Sequence, residues 1–81
     1  MSDDEIEARV AAILADVLGL DVDDVGAETS LETVAEWTSL EHLTVILALE
    51  EEFDLGFGDD EVVEMVSYPA IVKTVAARSA E

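Results

Sequence analysis

Two adjacent hydroxyl residues, Thr38 and Ser39, stand between an irregular segment and a long apolar run, in the stretch EWTSLEHL. A hydroxyl in this place can cap the following helix by accepting a hydrogen bond from one of its first N–H groups, and this is the commoner role. It can also stay accessible at the end of a loop, where a modifying enzyme reaches it. The unpaired N–H groups and positive dipole of a helix N-terminus would favour a phosphate ester there. On the residues alone, both roles are open for Ser39.

The only histidine, His42, follows Ser39 by three residues and therefore lies on a neighbouring face of the same predicted helix. Serine and histidine together are a fragment of a hydrolase site. The sequence has no strand-to-helix turn of the kind that exposes a nucleophilic serine, and so short a chain has little room to enclose a substrate. It also has no glycine pattern for nucleotide binding. We therefore predict a solvated His42 and a protein that is not an enzyme.

A second chemistry to weigh is calcium binding by residues 21–32, DVDDVGAETSLE, which follow a predicted helix. Four positions of a twelve-residue EF-hand loop carry suitable residues, namely Asp21, Asp23, Gly26 and Glu32. Val25 stands where an oxygen ligand is required, Glu28 stands where an aliphatic residue normally packs, and no second loop of this type pairs with it. An EF-hand-like calcium-binding protein is therefore a distant alternative, and we predict no metal site.

Composition and charge restrict the function further. The chain has 81 residues, with 21 acidic and three basic side chains, a formal net charge of -18 and no cysteine. This charge excludes electrostatic binding of nucleic acid or of an anionic membrane, and it predicts partners with basic surfaces. No segment approaches the length of a membrane span, and the acidic N-terminus does not resemble a signal peptide. We expect residues 1–81 to form one cytoplasmic, monomeric domain.

The hydrophobic periodicity predicts an all-α fold, a four-helix bundle with a long first loop and a short third helix. The first helix begins at Ser2, which forms a capping box with Glu5, and it ends at Gly19. The second helix runs from Ser39 to Phe53. The third is short and acidic in its first turn, which suits a helix N-terminus.

Glycine and proline mark the other boundaries. Gly56 and Gly58 break the period of the second helix, and Ser67 with Pro69 opens the fourth. The first loop, residues 20–37, has no sustained period, and a loop this long in a small domain is usually functional or pinned by its own contacts. The apolar residues expected to anchor it are Val25, Leu31, Val34 and Trp37.

The second helix carries more apolar residues than one core-facing stripe requires. Its core seam is predicted to consist of Ile46, Leu49 and Phe53, with Val45 beside it. Its outer seam, rotated away from the first, consists of Leu40, Leu43 and Leu47. Acidic residues would frame that outer seam, namely Glu41, Glu50, Glu51 and Glu52. We expect the outer seam to be exposed and to meet another protein, the alternative being a wider core stripe with a solvated acidic face.

The order of a long loop, then WTSLEHLTVILALEEEFDLGF, then DDEVVEMVSYPAIV resembles the acyl carrier proteins and their peptidyl carrier relatives. The resemblance covers nearly the whole chain and is most specific between Leu31 and Val75. That family has an Asp-Ser-Leu triplet at the start of its second helix, and its serine carries 4'-phosphopantetheine. Ser39 and Leu40 match the last two positions, whereas Thr38 stands where the family has aspartate. Trp37 precedes this triplet. In that respect the chain resembles a carrier subgroup of secondary metabolism, in which Trp-Asp-Ser-Leu is frequent.

The resemblance implies that a phosphopantetheinyl transferase moves the arm from coenzyme A to Ser39. It implies a free-standing acyl carrier in polyketide, fatty-acid-like or other secondary-metabolite biosynthesis, with an aminoacyl or peptidyl carrier as the alternative. Its partners would be acyl-loading, condensing or tailoring enzymes with basic docking surfaces. The residues expected to contact these partners are Thr38, Leu40, Glu41, Leu43, Leu47, Glu50 and Glu51. The missing aspartate raises the question of which transferase modifies Ser39.

Overall fold

The computed structural model describes residues 2–79, and these fold into four α-helices with one short 3-10 helix in the first loop. The α-helices are α1 (Asp3–Leu18), α2 (Ser39–Phe53), α3 (Asp59–Glu64) and α4 (Tyr68–Ser79), and the 3-10 helix is Val22–Asp24. The predicted all-α bundle with its long first loop and short third helix is confirmed. None of the helices in residues 2–79 is long and apolar enough to cross a membrane.

The caps of α1 follow the sequence in part. The Ser2 hydroxyl accepts a hydrogen bond from the Glu5 backbone N–H at 3.3 Å, as a capping box requires. The Glu5 carboxylate, however, pairs with Arg9 at 3.2 Å. It therefore does not accept the hydrogen bond from the Ser2 N–H that would complete the predicted capping box. At the other end Gly19 takes the left-handed conformation, with φ of 70°, and closes the helix as predicted.

Helix α2 ends at Phe53, as predicted, although the residue that ends it is not the expected one. Asp54, with φ of 53°, is the left-handed residue, and its N–H donates to the carbonyl of Glu50. A short polar side chain tolerates this conformation better than most, so the helix stops before either glycine is reached. Gly56 lies in the connecting loop, and Gly58 is the N-cap of α3. The predicted end of α2 at Phe53 is thus confirmed, but Asp54, and not either glycine, supplies the left-handed residue that ends the helix.

One apolar core joins α1, α2 and α4. Its buried members are Ile6, Val10, Leu14, Leu18, Trp37, Val45, Ile46, Leu49, Met65, Ile71 and Val75. The predicted core seam of α2 is thus confirmed, with Val45 and Leu49 fully buried and Phe53 partly buried against the cluster. The absence of cysteine leaves this apolar burial as the main stabilising contribution.

The first loop is pinned to the segment between α3 and α4. Trp37 is buried in the core, and Val25 and Val34 pack partly against it. The Leu31 side chain was predicted to anchor the loop, but it is exposed. The backbone N–H of Leu31 anchors the loop instead, by donating to the Val66 carbonyl at 2.9 Å. The backbone N–H of Tyr68 donates to the loop carbonyl of Thr29 at 2.8 Å.

Helix α3 is held chiefly by contacts near its ends. None of its own residues is buried, and the fully buried Met65 follows it directly. The Glu61 carboxylate accepts a hydrogen bond from the Gly58 N–H at 3.0 Å and pairs with Arg78 of α4 at 2.7 Å. The Arg78 guanidinium also lies 5.9 Å from the ring centre of Phe57, within cation–π range. The short third helix is therefore held by partial packing of Val62 against the core and by a few polar links to its neighbours.

Candidate functional site

Thr38, and not Ser39, caps α2. The Thr38 backbone is extended, and its hydroxyl accepts a hydrogen bond from the Glu41 N–H at 3.3 Å. Ser39 is the first helical residue, its side chain is exposed, and no hydrogen bond within residues 2–79 uses its hydroxyl. The commoner explanation for a serine at this position, a helix cap, therefore does not apply to Ser39.

The start of α2 suits a phosphate group attached to this hydroxyl. The His42 N–H donates to the Thr38 carbonyl at 2.8 Å, and the Glu41 N–H donates to the Thr38 side chain. The N–H groups of Ser39 and Leu40 have no partner in the part of the chain that the structure describes. Unpaired N–H groups together with the helix dipole favour an anion at this end, so the residues present fit a phosphodiester.

His42 is buried, which corrects the prediction of a solvated ring. Its Nδ1 lies 3.0 Å from the indole Nε1 of Trp37, and its Nε2 lies 3.0 Å from the carbonyl oxygen of Val62. An indole N–H can only donate and a carbonyl can only accept, so Nδ1 is the acceptor and Nε2 carries the proton. Both ring nitrogens are therefore engaged away from Ser39, and the ring is not placed to act as its base.

The outer seam of α2 lies at the surface. Leu40, Leu43 and Leu47 are 72%, 58% and 65% exposed, which confirms the expected exposure and excludes a wider core stripe. On helix α3, Val63 is 73% exposed, and its exposure was not predicted. The adjacent pair Val62–Val63 could have predicted one exposed valine, because two neighbouring residues of a short helix cannot both face the core.

The acidic residues around the outer seam have different environments. Glu51 is exposed and Glu41 is half-buried beside the start of the helix. Glu50 is half-buried, and its carboxylate accepts a hydrogen bond from the Phe57 N–H at 2.9 Å. Glu52 pairs with Arg9 of α1 at 2.7 Å. Glu50 and Glu52 thus have contacts within the fold, and Glu41 and Glu51 are the carboxylates of this group most available to a partner.

The segment weighed as a calcium loop has another structure. Residues Val22–Asp24 form the 3-10 helix, and the buried Thr29 hydroxyl accepts from the Gly26 N–H at 2.9 Å. Within residues 2–79 no group of three or more histidine, aspartate or glutamate side chains could hold a metal ion. A surface hollow of about 1060 Å³ along this loop, lined in part by Thr29 and Val34, does not include Ser39. The geometry therefore gives no support to the calcium alternative.

Comparison with known proteins agrees with this geometry. A family model described as a phosphopantetheine attachment site matches residues 8–75. An acyl carrier protein of Clostridium acetobutylicum is 34% identical over 73 residues, which cover 90% of this chain and 95% of the relative. An acyl carrier protein of Akkermansia muciniphila is 33% identical over 72 residues, covering 89% and 90%. The similarity thus extends over most of both chains.

The fold is also that of a solved structure, an acyl carrier protein from Enterococcus faecalis. It superposes with a TM-score of 0.78 at 21% identity, covering 95% of this chain and 98% of that chain. The sequence matches confirm the resemblance, the phosphopantetheine cofactor and the prediction that the protein is not an enzyme. The chain therefore belongs to the phosphopantetheine-attachment family of acyl carrier proteins, which hold their cargo on a covalent 4'-phosphopantetheine and catalyse no reaction themselves.

Proposed function

We propose that Ser39 is the attachment residue and that this protein is an acyl carrier. The observation that carries the proposal is the exposed, unpartnered Ser39 hydroxyl at the first position of α2, left available because Thr38 makes the capping bond. When bound, phosphopantetheine supplies a terminal thiol that holds the acyl group as a thioester. The chain itself contributes a tether, which raises the effective concentration of the cargo at each partner.

Each residue at the site has a defined part. In the transfer, the Ser39 oxygen forms a bond to the pantetheine-side phosphorus of coenzyme A, the pyrophosphate bond of coenzyme A breaks, and adenosine 3',5'-bisphosphate leaves. The hydroxyl proton of Ser39 goes to the transferase. The N–H groups of Ser39 and Leu40 lie where they can offset the negative charge of that phosphate. Thr38 fixes the first turn of α2, so the attachment residue stands on a rigid helix end.

The outer seam is the proposed docking surface. Its three exposed leucines supply apolar contact, and the net charge of -18 steers the protein toward basic enzyme surfaces. The proposed partners are the transferase and the acyl-loading, condensing or tailoring enzymes of a fatty-acid-like, polyketide or other secondary-metabolite pathway in the cytoplasm. The high acidity and the likeness to acyl carrier proteins favour an acyl cargo over an aminoacyl one.

The test is the intact mass of the protein after incubation with coenzyme A and a promiscuous transferase. Wild-type protein should gain the mass of one phosphopantetheine, and Ser39→Ala should gain none. Thr38→Asn is the matched control, because it removes the neighbouring hydroxyl while asparagine still caps the helix that carries Ser39. If Thr38→Asn blocks the reaction and Ser39→Ala does not, the attachment residue is Thr38 and the proposal for Ser39 is wrong.

A further inference from the structure

His42 is a buried side chain with two polar contacts, and neither the attachment chemistry nor the docking surface uses it. It lies one helical turn after Ser39, with its Nδ1 bonded to Trp37 and its Nε2 bonded to the Val62 carbonyl, both at 3.0 Å. Burying an imidazole is unfavourable unless its nitrogens find partners, and here both do. The ring therefore joins three parts of the fold: the end of the first loop, α2 and α3.

The two bonds have different consequences. Trp37 immediately precedes the cap residue, is 1% exposed and already belongs to the core, so its position does not depend on His42 alone. Val62 is a residue of α3; its side chain packs partly against the core, and no residue of α3 is fully buried. Among the hydrogen bonds of residues 2–79, the one from His42 is the one that joins a side chain of α2 directly to α3.

The other links of α3 act elsewhere. Glu61 ties it to Arg78 of α4, and Glu50 holds the Phe57 N–H in the connecting loop, toward the opposite end of α2 from Ser39. The His42 bond thus joins α3 to α2 near Ser39, at the end of α2 that these other links do not reach. The exposed Val63 follows Val62 directly, and Leu43 follows His42 directly.

We propose that His42 is a positioning residue, which holds α3 beside the Ser39 end of α2 so that both helices are presented together to the transferase that modifies Ser39. The inference rests on Ser39 being the attachment residue. It assigns the effect to the hydrogen bond with Val62 and not to the volume of the ring. Losing that bond lets α3 move away from α2 while the core of α1, α2 and α4 stays intact.

Three variants separate these contributions. His42→Phe keeps a ring of similar size without polar atoms; His42→Gln keeps a donor near the position of Nε2, and His42→Asn keeps an acceptor near the position of Nδ1. Val75→Ala is the control for general destabilisation, because Val75 is fully buried on α4 and lies outside this network. Each variant is assayed with coenzyme A and a phosphopantetheinyl transferase at a temperature at which its helical circular dichroism equals that of wild type.

We expect His42→Phe to lower kcat/KM for modification by about fivefold or more, mainly through KM, because a hydrogen bond of ordinary strength accounts for about that factor. His42→Gln should recover most of the rate, and Val75→Ala should leave it unchanged. The local stability of α3 is measured on the same samples by hydrogen exchange of the Val62 and Met65 amides, which donate to the carbonyls of Gly58 and Glu61, because a helix released from α2 opens more often. Exchange should be faster in His42→Phe than in His42→Gln, with the α1 amides unchanged.

A wild-type modification rate together with wild-type α3 exchange in His42→Phe would overturn the proposal. A modification rate that recovers in His42→Asn but not in His42→Gln would also overturn it, because it would assign the effect to the bond with Trp37. Should His42→Phe fail to fold, the comparison of the Gln and Asn variants decides between the two bonds. The proposed attachment fails separately, if wild-type protein gains no mass or if Ser39→Ala gains it. The exchange of the α3 amides still decides in that case whether His42 positions α3.

Discussion

Thr38 and Glu41 are joined by a hydrogen bond of 3.3 Å from the Glu41 backbone N–H to the Thr38 hydroxyl. This bond satisfies one of the four unpaired N–H groups at the start of α2, a task that a Ser39 cap would otherwise perform. The departure from the family's aspartate therefore leaves the helix start intact and removes a negative charge beside Ser39, the proposed attachment residue. Substitutions at position 38 can consequently separate the effect of helix capping from the effect of a negative charge on the modification of Ser39.

We predict that Thr38→Asp is modified faster than wild type by transferases that act on the Asp-Ser-Leu triplet, with an unchanged helical spectrum. Aspartate caps a helix at least as well as threonine and restores the charge. Thr38→Asn is the control, since asparagine caps equally well without the charge. The measurement is the initial rate of mass gain. Equal rates for the Asp and Asn variants would assign the effect to capping and contradict the role of charge.

Leu43 and Leu49 lie on opposite seams of the same helix and differ in burial, at 58% and 0% exposed. We predict that Leu43→Ala changes the free energy of unfolding by under about 1 kcal/mol, because its side chain is already largely hydrated. Leu49→Ala should cost about 2–5 kcal/mol, the usual cost of a cavity in a packed core. Urea unfolding measures both, and Leu43→Ala should slow turnover by a partner enzyme. Equal destabilisation by the two substitutions would mean that the outer seam is part of the core.

Glu50 and Glu51 are adjacent but should respond differently to charge reversal. Glu51 is exposed, so Glu51→Lys should slow association with a basic partner at low salt and leave stability nearly unchanged, since salt screens such steering. Glu50→Lys should also destabilise the fold by about 1 kcal/mol, because its carboxylate accepts the Phe57 N–H bond. Stopped-flow association at two salt concentrations, with thermal unfolding of each variant, separates the effects. A salt-independent loss in Glu51→Lys would argue against steering at this position.

The elements of the fold could be predicted from the sequence because their signals are local. Ser2, Gly19 and Ser67 lie next to the helices that they bound, and the apolar period of α2 distinguished the buried Leu49 from the exposed Leu43. The end of α2 at Phe53 was predicted, but the residue that ends the helix was missed, because Asp54 adopts a left-handed conformation that is usual for glycine.

The environment of His42 could not be predicted in the same way. Its burial depends on a carbonyl that lies 20 residues further along the chain, on a helix whose packing has no periodic signal. A histidine three residues after a serine indicated either a solvated ring or a catalytic base. Only the tertiary arrangement shows that both ring nitrogens are hydrogen-bonded. The anchoring of the loop through the Leu31 backbone was hidden for a similar reason, since backbone bonds to distant carbonyls leave no trace in residue type.

The last prediction concerns acid stability. The pKa of Glu61 is lowered, first by the hydrogen bond from the Gly58 N–H and then by Arg78. A carboxyl group with a depressed pKa stabilises the fold above its unfolded value, about 4.3 for glutamate, and this contribution is lost as the pH falls through the folded pKa. Melting temperatures measured from pH 7 down to pH 3 (about one unit below that unfolded value) should therefore fall less steeply for Glu61→Gln than for wild type.

The control for this experiment is Glu51→Gln, which removes the same charge from an exposed position on α2. Its melting temperature should follow the wild-type curve in shape, because the substitution breaks no link between α3 and its neighbours. In Glu61→Gln the amide oxygen can still accept the Gly58 N–H bond, while the ion pair with Arg78 is lost at every pH. The variant should thus be less stable than wild type near neutral pH and approach it in acid. Parallel curves for Glu61→Gln and wild type would show that the Glu61–Arg78 pair does not hold α3 against α4.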